Sequence, residues 1–178
     1  MLRKRAKTII LFAMEQFESI AGVIFSPDRT AVLLILRRDV PVWVLPGGGI
    51  DCGETAEQAI VREILEETDL TVKIDRLVGK YYPLNRLAKR TLLYECSVLK
   101  GTPSPSFETR EARFFPLSDL PPLPPPYGEW IEDSLVGGPV FSKNLNSVNY
   151  RRLCQYLITH PILVIRFLLA RFGLSVNT

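Results

Sequence analysis

Histidine is almost absent from this chain: His160 is the single one in 178 residues. A histidine-rich metal site is thereby excluded, and any triad would have to rest on His160 alone. His160 precedes Pro161 and reads as a helix-end residue. Cysteine is scarce too. Cys52, Cys96 and Cys154 are far apart and odd in number. That fits neither a zinc-ligand spacing nor a disulfide framework. It points to a reducing compartment, and a cytoplasmic location is expected. Long apolar runs are missing. Ile162 to Leu174 is short and interrupted by Arg166 and Arg171, whereas a bilayer span takes about 20 apolar residues. Ile9-Ile10-Leu11-Phe12 follows the basic Arg3, Lys4, Arg5 and Lys7. Glu15 and Glu18 stand where a signal peptide needs a small-residue cleavage site, so this run is expected to be a strand. No internal repeat is seen. The net charge of +3 is too mild for a nucleic-acid binder, and no stable nucleic-acid complex is expected.

What remains is ordinary in amount and uneven in placement. The chain is 47% apolar and 23% charged, a composition that folds. Its length suits one domain with an appended element. From Lys143 to the end there are basic residues and no acid, and the acids crowd between Asp51 and Asp69. An acidic cluster in a basic chain is what a cation site for a phosphorylated substrate requires.

Apolar patterning gives the elements. Ile20 to Phe25 reads as a buried strand, Ser26-Pro27-Asp28 as a turn, and Ala31 to Leu36 as a second strand, together suggesting a hairpin. Val42 to Leu45 is a short strand that runs into Pro46 and three glycines. Thr55 to Glu67 is the clearest helix: Thr55 and Gln58 form a capping-box pattern, and Ala56, Ala59, Ile60 and Ile64 make one apolar stripe. Val72 to Val78, Arg90 to Leu99 and Ala112 to Leu117 read as strands, with a loop at Tyr81 to Arg86. Strands around one helix suggest a mixed sheet packed against helices. Pro121 to Pro126 is a stiff break, a surface loop rather than a ligand for a WW domain. Beyond it, helices are expected near Ser147 to Thr159 and from Pro161 to about Gly173. The expected division is residues 1–126 as the main domain and 127–178 as a C-terminal helical extension packed on or beside it.

Glu63, Glu66 and Glu67 stand at i, i+3 and i+4 on the expected helix, which puts three carboxylates on one face. Such a face suits a hard divalent cation, Mg²⁺ or Mn²⁺. Taken alone, it is also what a solvated acidic face looks like. The surroundings favour the cation. Gly47-Gly48-Gly49, between strand and helix, lets the backbone turn tightly and approach a phosphate or metal. Glu54 and Arg62 can pair and hold the loop on the helix.

The segment Gly48 to Leu70 resembles the signature of the Nudix hydrolase family: Gly, five residues, Glu, seven residues, then Arg-Glu-U-x-Glu-Glu-x-Gly-U, U being bulky and aliphatic. Gly48, Glu54, Arg62, Glu63, Ile64, Glu66, Glu67 and Leu70 all fall in register; Asp69 replaces the final glycine. Trp43 to Gly48 and Glu111 to Pro121 are similar to flanking stretches of the family, so the likeness covers roughly residues 18 to 122.

The resemblance implies an α/β fold, an α/β/α sandwich with a mixed sheet. It implies that Glu63, Glu66 and Glu67 are catalytic and bind Mg²⁺ or Mn²⁺, with the Gly48 carbonyl in the metal shell and Glu54–Arg62 as a structural ion pair. Asp69 would stand in for a left-handed helix cap, a conformation Asp tolerates. The implied reaction is attack of water on one phosphorus of a nucleoside diphosphate linked to another group, with an ADP-ribose-like or nucleoside triphosphate substrate favoured. Glu63, Glu108 or Glu111 is the expected general base. Arg86, Lys89 and Arg90 are candidates for holding phosphates, and Tyr82 for stacking. Two other classes remain open: an inactive Nudix-fold module that binds nucleotides or regulates, and a protein docked on a membrane or partner through residues 161–178. A homodimer through that tail also stays open.

Overall fold

The computed structural model describes residues 16–159 together with 161, 162 and 165. The expectations for Arg3 to Met14, for His160 and for most of the tail helix after Pro161 lie outside the described residues.

Strands β1 (Ser19–Ile24), β5 (Thr91–Lys100), β4 (Thr71–Pro83) and β7 (Phe141–Leu145) form a mixed four-stranded sheet in the order β1-β5-β4-β7. Strands β3 (Trp43–Val44), β2 (Ala31–Arg37) and β6 (Thr109–Pro116) form an antiparallel three-stranded sheet in the order β3-β2-β6. Helices α1 (Ala56–Thr68), α2 (Tyr127–Val136) and α3 (Tyr150–Thr159) complete the chain. This is the expected α/β sandwich with a mixed sheet.

Two cores flank the main sheet. Helix α1 lays Ala59, Ile60 and Ile64 against Ile20, Ile24, Leu92 and Tyr94. On the other side α2 contributes Trp130 and Ile131 to a core with Ala21, Val23, Val78, Tyr81 and Leu93. The period-2 alternation of β1 and β5 feeds both cores, as a sheet covered on two faces must.

The expected β1–β2 hairpin does not form. β1 pairs in parallel with β5, from Ser19↔Thr91 to Ile24↔Cys96, whereas β2 joins the other sheet. Among the described residues their only ladder contact is the isolated bridge Phe25↔Val32. Both strands are apolar on two faces, so local adjacency lost to burial between layers. The loop expected at Tyr81 to Arg86 is also shorter, because β4 runs on to Pro83 and its last residues pair with β7. Helix α2 follows the proline-rich break directly, earlier than the helices expected from Ser147, and β7 follows α2 where no strand is expected. Cys52, Cys96 and Cys154 are all free thiols.

Candidate active site

Helix α1 is the platform. Thr55 caps it with both halves of the capping box: Thr55 Oγ1 accepts from the Gln58 N–H at 3.2 Å, and Gln58 Oε1 accepts from the Thr55 N–H at 2.9 Å. At its other end Asp69 takes the left-handed conformation, φ 60° and ψ 20°, and donates its N–H to the Leu65 carbonyl. The cap that the signature assigns to glycine is therefore kept by aspartate.

The glycine loop lies against this helix. The Gly47 N–H donates to Glu67 Oε2 at 2.8 Å. A Cβ on Gly48 would lie 2.3 Å from Glu63 Oε1, closer than a carbon can approach an oxygen it is not bonded to, so the carboxylate would have to move. Gly47 has φ +149°, and a Cβ there would meet the Ile20 carbonyl oxygen at 2.3 Å. Glycine at these two positions lets the loop touch both the helix carboxylates and β1. The Gly48 carbonyl accepts from the Ile20 N–H at 3.0 Å and from Ser19 Oγ at 3.0 Å. Both of its lone pairs are thus engaged on the β1 side. The Gly48 N–H donates to the Ile20 carbonyl. In a trans peptide the Gly47 carbonyl then points the opposite way, away from β1.

The acids are not equivalent. Glu67 is buried at 3% exposure. Glu63 has 13% of its side chain exposed, against 58% for Glu66. A solvated acidic face would show three exposed carboxylates, and only Glu66 behaves so. Burial, first of all, pushes the Glu67 carboxyl up to about 8, with the Glu63 and Glu108 charges adding to the effect and the Gly47 N–H and Arg37 opposing it. Burial also raises Glu63; Arg62 opposes this, while Glu66 and Glu108 reinforce it. Buried carboxylates crowded in this way favour either protonation or a cation.

Arg62 organises the loop. Its Nε and Nη2 donate to the two Glu54 oxygens at 2.9 and 3.0 Å, a bidentate fork. Its Nη1 also reaches Glu63 at 3.0 Å and Glu66 at 3.2 Å, and Nη2 reaches the Gly49 carbonyl at 3.3 Å. The fork holds the Glu54 carboxyl below its usual range. Among the described residues, no three acidic, histidine or cysteine side chains converge as a ready coordination shell. Arg62 draws Glu66 to itself, and the carboxylates would have to turn toward a cation.

The two more distant acidic candidates lie in different settings. The Glu108 charge acts on both Glu63 and Glu67. Glu111 lies on β6 with half its side chain exposed and faces Arg113 Nε at 3.6 Å. Arg86, Lys89 and Arg90 occupy the exposed loop between β4 and β5. That loop reaches the glycine edge, since the Arg90 carbonyl accepts from the Ser19 N–H, and Ser19 bridges to Gly49. Tyr82, on β4, packs its ring on Phe17 at 5.8 Å. Sequence reasoning missed the Gly47 N–H, Ser19 and Arg37. The triple glycine was the signal for the first; nothing local marks the other two.

A family model described as the NUDIX domain matches residues 16–134. The chain belongs to the Nudix family. An ADP-ribose pyrophosphatase of Methanocaldococcus jannaschii is 35% identical over 121 residues, 65% of this chain and 70% of that protein. A putative 8-oxo-dGTP diphosphatase of Bacillus subtilis is 49% identical over 61 residues, 34% of this chain and 41% of that protein. Among solved structures, an ADP-ribose pyrophosphatase of Streptococcus suis superposes with a TM-score of 0.60 at 27% identity, covering 70% of this chain and 97% of that one. This Nudix domain is thus a pyrophosphohydrolase by family, and its match runs into α2. No helix among the described residues is long and apolar enough to cross a membrane.

Proposed function

We propose that this Nudix protein is a Mg²⁺- or Mn²⁺-dependent enzyme that hydrolyses the diphosphate of a nucleoside diphosphate linked to another group, ADP-ribose-like compounds first and nucleoside triphosphates second. One observation carries the reading: Glu67 is buried, held by the Gly47 N–H, and beside Glu63, in register with a signature that departs only at Asp69. The ADP-ribose preference rests on the names of the archaeal and streptococcal relatives.

The donor set fits a hard cation. Glu67 and Glu63 supply carboxylate oxygens whose burial a positive charge would relieve. Glu66 would join on release from Arg62. For the backbone ligand we favour the Gly47 carbonyl over that of Gly48, because the Gly48 oxygen already accepts two hydrogen bonds. The bound cation would neutralise charge on the phosphate oxygens and lower the pKa of water.

The chain's own groups supply the rest. Water attacks one phosphorus, a new P–O bond forms, and the bond from that phosphorus to the bridging oxygen breaks, leaving two phosphate monoesters when the substrate is ADP-ribose. The proton of the water passes to a carboxylate, Glu63 or Glu108. Glu54 and Arg62 position the loop. Arg86, Lys89 and Arg90 would hold phosphates from the β4–β5 loop, and Tyr82 would border the same edge. Trp130 and Ile131, in the segment expected as a C-terminal extension, pack into the core of the main domain, which supports an extension docked on that domain. Every signature glutamate is present, which disfavours an inactive binding module. Residues 161–178 remain the segment through which a membrane or a second copy would be contacted.

The test is a panel of ADP-ribose, nucleoside triphosphates and other nucleoside diphosphate derivatives, with Mg²⁺, Mn²⁺ and EDTA. Metal-dependent release of AMP and ribose 5-phosphate from ADP-ribose is expected. Silence across the panel with tight nucleotide binding would replace the enzyme by a binding module.

A further inference from the structure

Phe107 is a large apolar side chain left 92% exposed. It belongs to the segment between β5 and β6, Gly101-Thr102-Pro103-Ser104-Pro105-Ser106-Phe107-Glu108. Single exposed apolar residues are common on proteins; two observations set this one apart.

First, the segment is fixed at several points. The Ser104 N–H donates to the Thr68 carbonyl at 3.0 Å. Thr109 Oγ1 donates to the Glu67 carbonyl at 2.8 Å. The Ser106 N–H donates to Thr109 Oγ1 at 3.0 Å, and Ser106 Oγ accepts from the N–H groups of Glu108 and Thr109 at 3.2 Å each. Arg38 closes the other side, its N–H donating to the Glu108 carbonyl and its Nε to the Ser106 carbonyl, both at 3.1 Å. Two prolines stiffen the approach. The aromatic ring is thus held uncovered by a bonded turn rather than left on a loose loop.

Second, the turn sits on the catalytic helix. It is bonded to the backbone of Glu67 and Thr68, and the residue after Phe107 places its charge on Glu63 and Glu67. Phe107 thus lies on a turn bonded to the last turn of α1, one residue from Glu108, and Arg38, which follows β2, is hydrogen-bonded to that turn.

We propose that Phe107 is a specificity-determining residue: the aromatic base of the nucleoside diphosphate stacks on its ring while the diphosphate occupies the Glu63–Glu67 site. This rests on the function proposed above and adds what selects the nucleoside end. An exposed ring offers any base a π-face, so the contact favours bases over no base rather than one base over another.

The test is calorimetric titration of the intact protein, in Ca²⁺, with two non-hydrolysable probes: α,β-methylene-ADP and base-free methylenediphosphonate. Wild type, Phe107→Ala and Phe107→Trp are compared. Phe107→Ala is expected to weaken the ADP analogue roughly 5- to 100-fold, the loss that removing one base stack produces. The base-free probe should move less than twofold, and Phe107→Trp should restore the ADP analogue. Equal weakening of both probes, no change in either, or no binding of either by the wild type would overturn the proposal. Phe107-dependent binding by a protein that hydrolyses nothing in the panel would remove the enzyme and keep the base contact. Hydrolysis of ADP-ribose with Phe107-independent binding would do the reverse.

Discussion

The Gly47 N–H donates to Glu67 Oε2 at 2.8 Å, so the end of the β3 segment and the Nudix helix meet through one hydrogen bond across 20 residues of chain. Next to it, the space a Cβ on Gly48 would need is taken by the Glu63 carboxylate. Gly48→Ala is therefore expected to push Glu63 and the loop apart. Activity should fall about 100-fold or more, since a misplacement of about 1 Å at a reacting centre has that effect. Steady-state kinetics in Mg²⁺ reads it; a rate within threefold of wild type would show that the loop does not need this approach.

Arg62 has a positioning role through Glu54. Glu54→Gln keeps the shape and removes one charge from the fork. Arg62 is then left to Glu63 and Glu66, two residues proposed to hold the cation. The variant should require more Mg²⁺ for half-maximal rate and show a lower melting temperature. A Mg²⁺ titration at saturating substrate checks this: an unchanged midpoint would make the fork irrelevant to the site.

Burial pushes the Glu67 carboxyl up to about 8, and Glu63 is raised as well. An acid whose folded pKa exceeds its unfolded value resists ionising in the folded state. The metal-free protein should therefore lose stability as pH rises from the unfolded value near 4.3 to about 8, by on the order of a few kcal/mol, and change little above that. A divalent cation binds the ionised form, so its stabilisation grows over the same window. Thermal melts in EDTA and in Mg²⁺ should diverge more at pH 8 than at pH 5.5. Equal separation at both would contradict this origin of the shift.

Asp69 holds a left-handed cap at φ 60°. Glycine occupies that region without a Cβ penalty, so Asp69→Gly should stabilise the fold by about 0.5–1 kcal/mol. A rise of a few degrees in melting temperature is expected; a fall would mean that the Asp69 side chain contributes more than the strain costs.

Glu108 and Glu111 look alike in sequence, but the Glu108 charge bears on Glu63 and Glu67, whereas Glu111 faces Arg113. Glu108→Gln should lower kcat at least tenfold, within the range of a lost general base, whereas Glu111→Gln should stay within twofold. The reverse order would move the site toward the exposed end of β6.

Much of this arrangement was legible where one helix carries it. Thr55, Gln58, the Ile60–Ile64 stripe and the three glutamates need only the 3.6-residue period, and all fall on α1 as expected. The Glu54–Arg62 pair followed from register with the signature. What the sequence hid is set by partners far along the chain. The partner of β1 is β5, which follows in sequence only after β2, β3, α1 and β4. The burial of Glu67 depends on Gly47, and the engagement of the Gly48 carbonyl on Ser19 and Ile20. Helix α2 was missed because a proline run precedes it and its anchors, Trp130 and Ile131, gain meaning only from the core they enter.

The central claim is that Glu67 holds a catalytic divalent cation. Its most direct measurement is Mg²⁺-dependent hydrolysis of ADP-ribose by the wild type beside Glu67→Gln, which keeps an acceptor for the Gly47 N–H and removes the charge. A loss of several orders of magnitude in kcat/KM, with the variant still folded, is predicted. Activity within a few-fold of wild type would contradict the claim.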